Sequence, residues 1–150
     1  MTRLEQALDL AYRHLAKRDR TETELRRHLE GRGVQAPTVD AAVAELERQG
    51  YLDDARYARR FAEDRRTLDS WGAERIEQRL LAVGVAPELV EAAVAQRPAE
   101  DELEAAVALL RRRFPEPPAD DRDRNRALGV LVRRGYDLEL AHDAIRSLTR

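Results

Sequence analysis

The chain contains no cysteine, which removes disulfides, thiolate nucleophiles and cysteine-based zinc sites together. Glycine and proline are scarce, at 7 and 6 residues in 150. No apolar run approaches the ~18 residues needed to span a bilayer. Lysine is almost missing: Lys17 stands alone beside 26 arginines. Arginine offers planar, bidentate contacts to phosphate or carboxylate, but a GC-rich codon usage would produce the same bias. No excess of one charge exists either, since the net charge is -2. Residues 1–51 carry nine basic and nine acidic groups, 52–100 eight and ten, and 101–150 ten and ten. A phosphate-neutralising domain or charged tail is therefore absent, and any surface for nucleic acid must be a local patch.

What remains is helix-forming. Ala, Leu, Glu and Arg dominate, and all four favour helix. The chain is 43% apolar and 37% charged, with a mean hydropathy of -0.66. That much charge implies a large surface for the volume, which suits thin helical units better than one thick core. The N-terminal MTRLEQALDL is already amphipathic and lacks a signal-peptide core. A soluble, cytoplasmic, all-α protein is expected.

A period of 51 residues runs through the sequence. It relates Leu29, Leu80 and Leu131, then Gly33, Gly84 and Gly135, then Ala42, Ala93 and Ala144, then Val43, Val94 and Ile145. Glycine just past a helix can take positive φ and close its end. The apolar residue that follows, here Val34, Val85 or Tyr136, folds back on the last turn. Each unit thus reads as helix, glycine stop and helix, with a further helix in front.

In the first unit Leu4, Ala7, Leu8, Ala11, Tyr12 and Leu15 form a stripe of helical period. Thr21-Glu22-Thr23-Glu24 is a capping box. Pro37 suits the first turn of a third helix, whose stripe is Val39, Ala42, Val43 and Leu46. The second unit opens on Asp53-Asp54, acidic residues favoured at a helix start. Its stripes are Ala58, Phe61 and Ala62, then Ile76 and Leu80, then Leu89, Val90, Ala93 and Val94. The third uses Leu103, Ala106, Val107, Leu110 and Phe114, then Leu128, Leu131 and Val132, then Leu138, Ala141, Ile145 and Leu148. Pro115-Glu116-Pro117-Pro118 makes a stiff connector within it. The expectation is nine helices in three tandem three-helix, helix-turn-helix-like repeats, 1–51, 52–99 and 100–150, forming an elongated and curved array.

Catalytic material is thin. His14, His28 and His142 show no metal-ligand spacing, and each reads as a solvated or core-edge histidine. Neither Ser70 nor Ser147 lies in a nucleophile motif, and Gly31-Arg32-Gly33 does not extend to a dinucleotide fingerprint. No enzyme, cofactor or metal is expected.

Arginines and aromatics carry the expected interface. Arg18, Arg20, Arg26 and Arg27 gather at the first helix junction; Arg56, Tyr57, Arg60, Arg65, Arg66 and Arg75 mark the second unit, with Trp71 in a loop. These residue types are enriched at interface hot spots. The plain alternative is a solvated arginine face, with Tyr12, Tyr57 and Phe61 in the core and Trp71 packing a joint.

Three local signatures resemble the RecX family. They are Arg18-Asp19-Arg20-Thr21-Glu22-Thr23-Glu24-Leu25-Arg26 with Leu29, Gly50-Tyr51-Leu52-Asp53-Asp54-Ala55-Arg56-Tyr57-Ala58 with Phe61, and Gly72-Ala73-Glu74-Arg75-Ile76 with Leu80, Gly84 and Val85. They cover about residues 7–90, and the third unit agrees in pattern rather than motif. The resemblance implies a monomeric, non-enzymatic regulator of tandem three-helix units. Its partner would be the RecA filament on DNA, with extension blocked and strand exchange, ATP hydrolysis and co-protease activity suppressed in DNA repair and the SOS response. ATP would be hydrolysed by that partner, in keeping with the lack of a phosphate loop here. Some members of the family also contact DNA, single- or double-stranded; the even charge balance argues for weak contact here. A helix-turn-helix DNA-binding protein acting without RecA is the other reading of the same helix-glycine-helix units.

Overall fold

A computed structural model describes residues 1–149. Among the described residues there are nine α-helices and no strand: α1 (Arg3–Leu15), α2 (Glu22–Gly31), α3 (Ala36–Gln49), α4 (Asp54–Asp69), α5 (Ala73–Ala82), α6 (Pro87–Val94), α7 (Ala99–Arg113), α8 (Asp121–Arg133) and α9 (Leu138–Leu148). The all-α class and the three tandem three-helix repeats are as the sequence indicates.

The 51-residue period is a repeated capping bond. Gly33, Gly84 and Gly135 end α2, α5 and α8 with φ of 85°, 88° and 94°. The next amide then donates five residues back, Val34 to Leu29, Val85 to Leu80 and Tyr136 to Leu131, each at 3.0 Å. An orphan carbonyl is satisfied each time, and the apolar side chain after the glycine is turned toward the core. At the other end of α2, the Thr21 hydroxyl accepts from the Glu24 amide at 3.1 Å, and the Glu24 carboxylate accepts from the Thr21 amide at 3.0 Å.

Packing divides the chain into two compact units, one of residues 1–59 and 80–90, the other of 60–79 and 91–150. In the first, α1, α2 and α3 pack on one another around Ala7, Ala11, Leu25, Leu29, Val39, Val43 and Leu46. Thr21 is fully buried there, and its hydroxyl also donates to the Val83 carbonyl at 2.6 Å. The cap therefore pins the loop before Gly84 as well. In the second unit, α9 packs on α7 and α8 around Ala106, Leu110, Leu131, Tyr136, Ala141 and Ile145.

The stripes are narrower than their sequence pattern. Leu4 and Tyr12 of α1 are 37% and 36% exposed, and Val132 and Leu138 are about half exposed. A three-helix core has room for one or two residues per turn, and Ala7 and Ala11 occupy it in α1. Tyr12 keeps its polar end outward, donating to Gln49 Oε1 at 2.7 Å, and its ring meets Tyr51 edge-on at 5.4 Å.

The first unit also carries an acid pair. Hydrogen bonding to Glu22 pushes the Glu47 carboxyl up to about 7, with burial, the Glu22 charge and Asp54 adding to it. A carboxyl that binds its proton more tightly when folded favours folding below the unfolded value of 4.5, and that contribution is lost as pH rises through about 7. Glu47→Gln is expected to raise the urea midpoint at about pH 8 and leave it nearly unchanged at about pH 4. An equal change at both pH values would contradict the raised Glu47 carboxyl.

Candidate interaction site

The sequence-predicted interface residues fall into two groups, one in each compact unit. In the first unit Arg18, at the end of the α1–α2 connection nearer α1, pairs with Glu24 at 2.9 Å and donates to the Asp19 carbonyl at 2.9 Å. Burial alone would raise the Glu24 carboxyl, but Arg18 and the Thr21 amide outweigh it and hold that group below its ordinary value. Arg20 is half-buried, and its Nε is enclosed without a hydrogen-bond partner. Arg26 joins Asp40 at 2.6 Å and Glu22 at 3.7 Å, while Arg27 is exposed. Arg56 donates to the Gly50 carbonyl at 2.7 Å, closing the turn after α3, and Tyr57 is half-buried.

In the second unit Arg65, Trp71 and Arg75 come together. Trp71 lies in the short connection between α4 and α5. The Arg75 guanidinium stands 4.2 Å from its ring centroid, Arg65 stands at 5.9 Å, and Phe61 meets the indole edge-on at 5.9 Å. Arg65 is also ion-paired with Asp69. Arginine over an aromatic face keeps its charge while losing rotamer freedom, so the cluster is ordered before any partner arrives. Arg60 is exposed. Arg66 donates to the Val94 carbonyl at 3.0 Å, and burial, with Arg97 nearby, pushes its guanidinium below the ordinary value.

Backbone contacts hold this loop on the α8–α9 turn. The Gly72 amide donates to the Arg134 carbonyl at 2.7 Å and the Glu74 amide to the Gly135 carbonyl at 2.9 Å. The approach requires glycine at 72, where a Cβ would lie 2.6 Å from the Gly135 oxygen. Ser70 takes a left-handed φ of 57°, its hydroxyl accepting from Arg112 at 3.0 Å, and Arg134 donates to the Asp69 carbonyl. Behind the loop a buried pair, Arg97–Glu102, is completed by the Ala73 amide, which donates to Glu102 at 2.8 Å. Arg75 donates to the Arg133 carbonyl at 3.2 Å.

Sequence reasoning missed Arg97, Arg112 and Arg134, because nothing in their local context marks a contact some 26 to 65 residues away. It also missed a stacked histidine pair in the first unit. His14 and His28 lie with ring centroids 3.7 Å apart and planes within 5°. Among the described residues no group of three or more His, Asp or Glu side chains is arranged to hold a metal ion. Among them, too, no helix is long and apolar enough to cross a membrane.

Models of the first, second and third three-helix domains of RecX match residues 7–46, 53–94 and 100–145. The chain belongs to the RecX family. A regulatory protein RecX from Trichlorobacter lovleyi is 41% identical over 134 residues, covering 87% of each chain. One from Thermus thermophilus is 38% identical over 142 residues, 94% of this chain and 91% of that one. One from Deinococcus radiodurans is 33% identical over 144 residues, 96% of this chain and 69% of that one. The crystal structure of RecX from Lactobacillus salivarius matches with a TM-score of 0.86 at 18% identity, over 98% of this chain and 97% of that one, which is a likeness of fold. A RecX-type regulatory role follows from the family, and the two arginine groups lie within the residues matched by its first and second three-helix domains.

Proposed function

We propose that this RecX-family protein inhibits RecA recombinase by binding the RecA–DNA filament and blocking its extension, thereby suppressing strand exchange, ATP hydrolysis and co-protease activity in DNA repair and the SOS response. It acts as a cytoplasmic monomer without enzymatic activity of its own, through three modules, 1–51, 52–99 and 100–150. The observation that carries the reading is the family match in all three domains, in order along the chain. The side chains on offer support it: arginines and aromatics held by ion pairs and cation–π contacts, the types that dominate interface energy. A tandem array can touch successive protomers of a polymer, so that modest contacts combine through effective concentration, and filament is preferred over free subunit.

Growth of RecA filaments on single-stranded DNA, followed by fluorescence of labelled DNA, tests the proposal. Inhibition well below one protein per RecA subunit is the outcome for capping of growing ends, and inhibition near equal ratios is the outcome for coating of the groove. Unimpaired growth at every ratio would contradict the proposal. Replacing Arg56, Arg60, Arg65, Arg66 and Arg75 together by alanine is expected to weaken inhibition at least tenfold with helicity retained, each lost hot-spot arginine costing on the order of 1 kcal/mol or more. Full inhibition by that variant would displace the interface from the second module. Retardation of duplex DNA by the protein alone, with a steep salt dependence, would favour action without RecA.

A further inference from the structure

A contact between successive repeats recurs with the 51-residue period. In the α5–α6 turn the Val83 and Gly84 carbonyls accept from the Thr21 and Thr23 hydroxyls at 2.6 and 3.3 Å. In the α8–α9 turn the Arg134 and Gly135 carbonyls accept from the Gly72 and Glu74 amides at 2.7 and 2.9 Å. Donors and acceptors alike advance by 51 residues from one contact to the next. Each of these glycine turns is therefore covered by the start of the preceding repeat's middle helix. The apolar residue after the glycine is buried in consequence, Val85 at 2% and Tyr136 at 1% exposure.

The equivalent turn of the first repeat, Arg32-Gly33-Val34, is uncovered. Among the described residues the Arg32 and Gly33 carbonyls accept no hydrogen bond, a Cβ on Gly33 would meet nothing within 4 Å, and Val34 is only half-buried. A groove of about 320 Å³ lies there, lined by the apolar Leu10 and Val34 and by Arg3 and Arg32. The other half of the contact is uncovered in the third repeat. Asp123 and Asn125 hold the places of Thr21 and Thr23 there, and no described left-handed glycine lies against them. Because α8 begins three residues earlier in its repeat than α2 and α5 do, the Asp123 amide is taken up by the Asp120 cap. The donor left at this end is the exposed Asn125 side chain, just as side-chain hydroxyls serve in the first repeat. A groove of about 340 Å³ lies on this end too, lined by residues that include Phe114, Glu116, Asp123 and Arg126.

We propose that the Gly33 turn of one copy receives the third-repeat end of another, so that the contact between repeats continues head to tail from chain to chain. Asn125 donates to the Gly33 carbonyl, Glu116 and Asp123 face Arg3 and Arg32, and Phe114 covers Val34. The two ends are complementary and not identical, so the contact is heterologous and joins copies in one direction. It is smaller than a stable dimer interface. The free chain is therefore monomeric in dilute solution, and the ends join where copies are crowded, as along a polymer. The contact needs no RecA, so its failure and the failure of the filament proposal are separable.

Sedimentation equilibrium of the full chain, without RecA, from about 10 μM to about 1 mM tests the proposal. The expected result is the mass of one chain at the lower concentration and a weight-average mass greater by at least about half at the upper. One variant disables the Gly33 end, Arg3→Glu with Arg32→Glu; another disables the third-repeat end, Glu116→Arg with Asn125→Ala. All four positions are exposed, and both variants are expected to keep the parent circular dichroism. Each variant alone should remain at the mass of one chain throughout. Mixed in equal amounts they retain one working end apiece, so the mass should rise again without passing that of two chains. A parent mass fixed at one chain, association that survives in either variant alone, or a mixture that stays at one chain would each overturn the proposal.

Discussion

Replacing Glu102 by alanine is expected to cost the second unit about 3–5 kcal/mol, the penalty for stranding a buried charge. Glu102 is only 7% exposed, accepts from the Ala73 amide at 2.8 Å, and takes Arg97 Nε at 2.7 Å. Its removal leaves Arg97 beside Arg66 with no anion between them, in a place where burial already disfavours the Arg66 charge. It also orphans the amide that starts α5. Thermal unfolding followed by circular dichroism should shift by roughly 15 °C or more for a unit of this size. Converting both partners, Arg97→Met with Glu102→Leu, should restore much of the loss, because the cost lies in the unpaired charge rather than in the absence of a pair. A shift of a few degrees in the single variant would mean that Arg97 reaches water when Glu102 is gone.

Alanine at Gly135 is the second large change expected. The residue takes φ of 94°, and a Cβ there would lie 2.5 Å from the Arg75 amide nitrogen and 2.9 Å from its Cα. Backbone cannot yield as a side-chain tip can, so the left-handed penalty of ~1–2 kcal/mol is compounded by a displaced α5 start, about 3 kcal/mol in all. Gly33 occupies the equivalent place in the first repeat with φ of 85°, but a Cβ there meets nothing within 4 Å. Gly33→Ala should therefore cost only the backbone term, ~1–2 kcal/mol. Urea unfolding of the two variants separates the contributions. Equal costs would show that the close approach of Arg75 adds nothing.

That comparison also marks what the sequence can disclose. The glycine stops, the Thr21 capping box and the helical stripes are local or strictly periodic, and each follows from bonds made within a few residues. The recurrence of Leu29, Leu80 and Leu131 with their glycines reveals the repeat because the same carbonyl is capped each time. What Gly135 meets is another matter, since Arg75 lies 60 residues earlier and no period relates the two. The same holds for His14 and His28, which share a stack because α1 and α2 end side by side. Tyr12 has the spacing of a core residue and lies outside because Ala7 and Ala11 fill the inner face of α1. Of the expected interface, Trp71 was legible as a loop residue between helices. Its arginine partners at 65 and 75 were visible as composition, while the cation–π geometry that joins them depends on how α4 and α5 leave the loop. Local chemistry could thus be read ahead of the fold, and contacts made across the chain could not.

The proposal that this chain restrains RecA is tested most directly by the DNA-dependent ATP hydrolysis of its cognate RecA on single-stranded DNA, titrated with the purified protein. The expected result is progressive loss of hydrolysis, with the ratio at half-effect separating end-capping from groove coating. Hydrolysis that stays unchanged up to and beyond one protein per RecA subunit would contradict it, leaving a RecX-family scaffold whose regulatory target lies elsewhere.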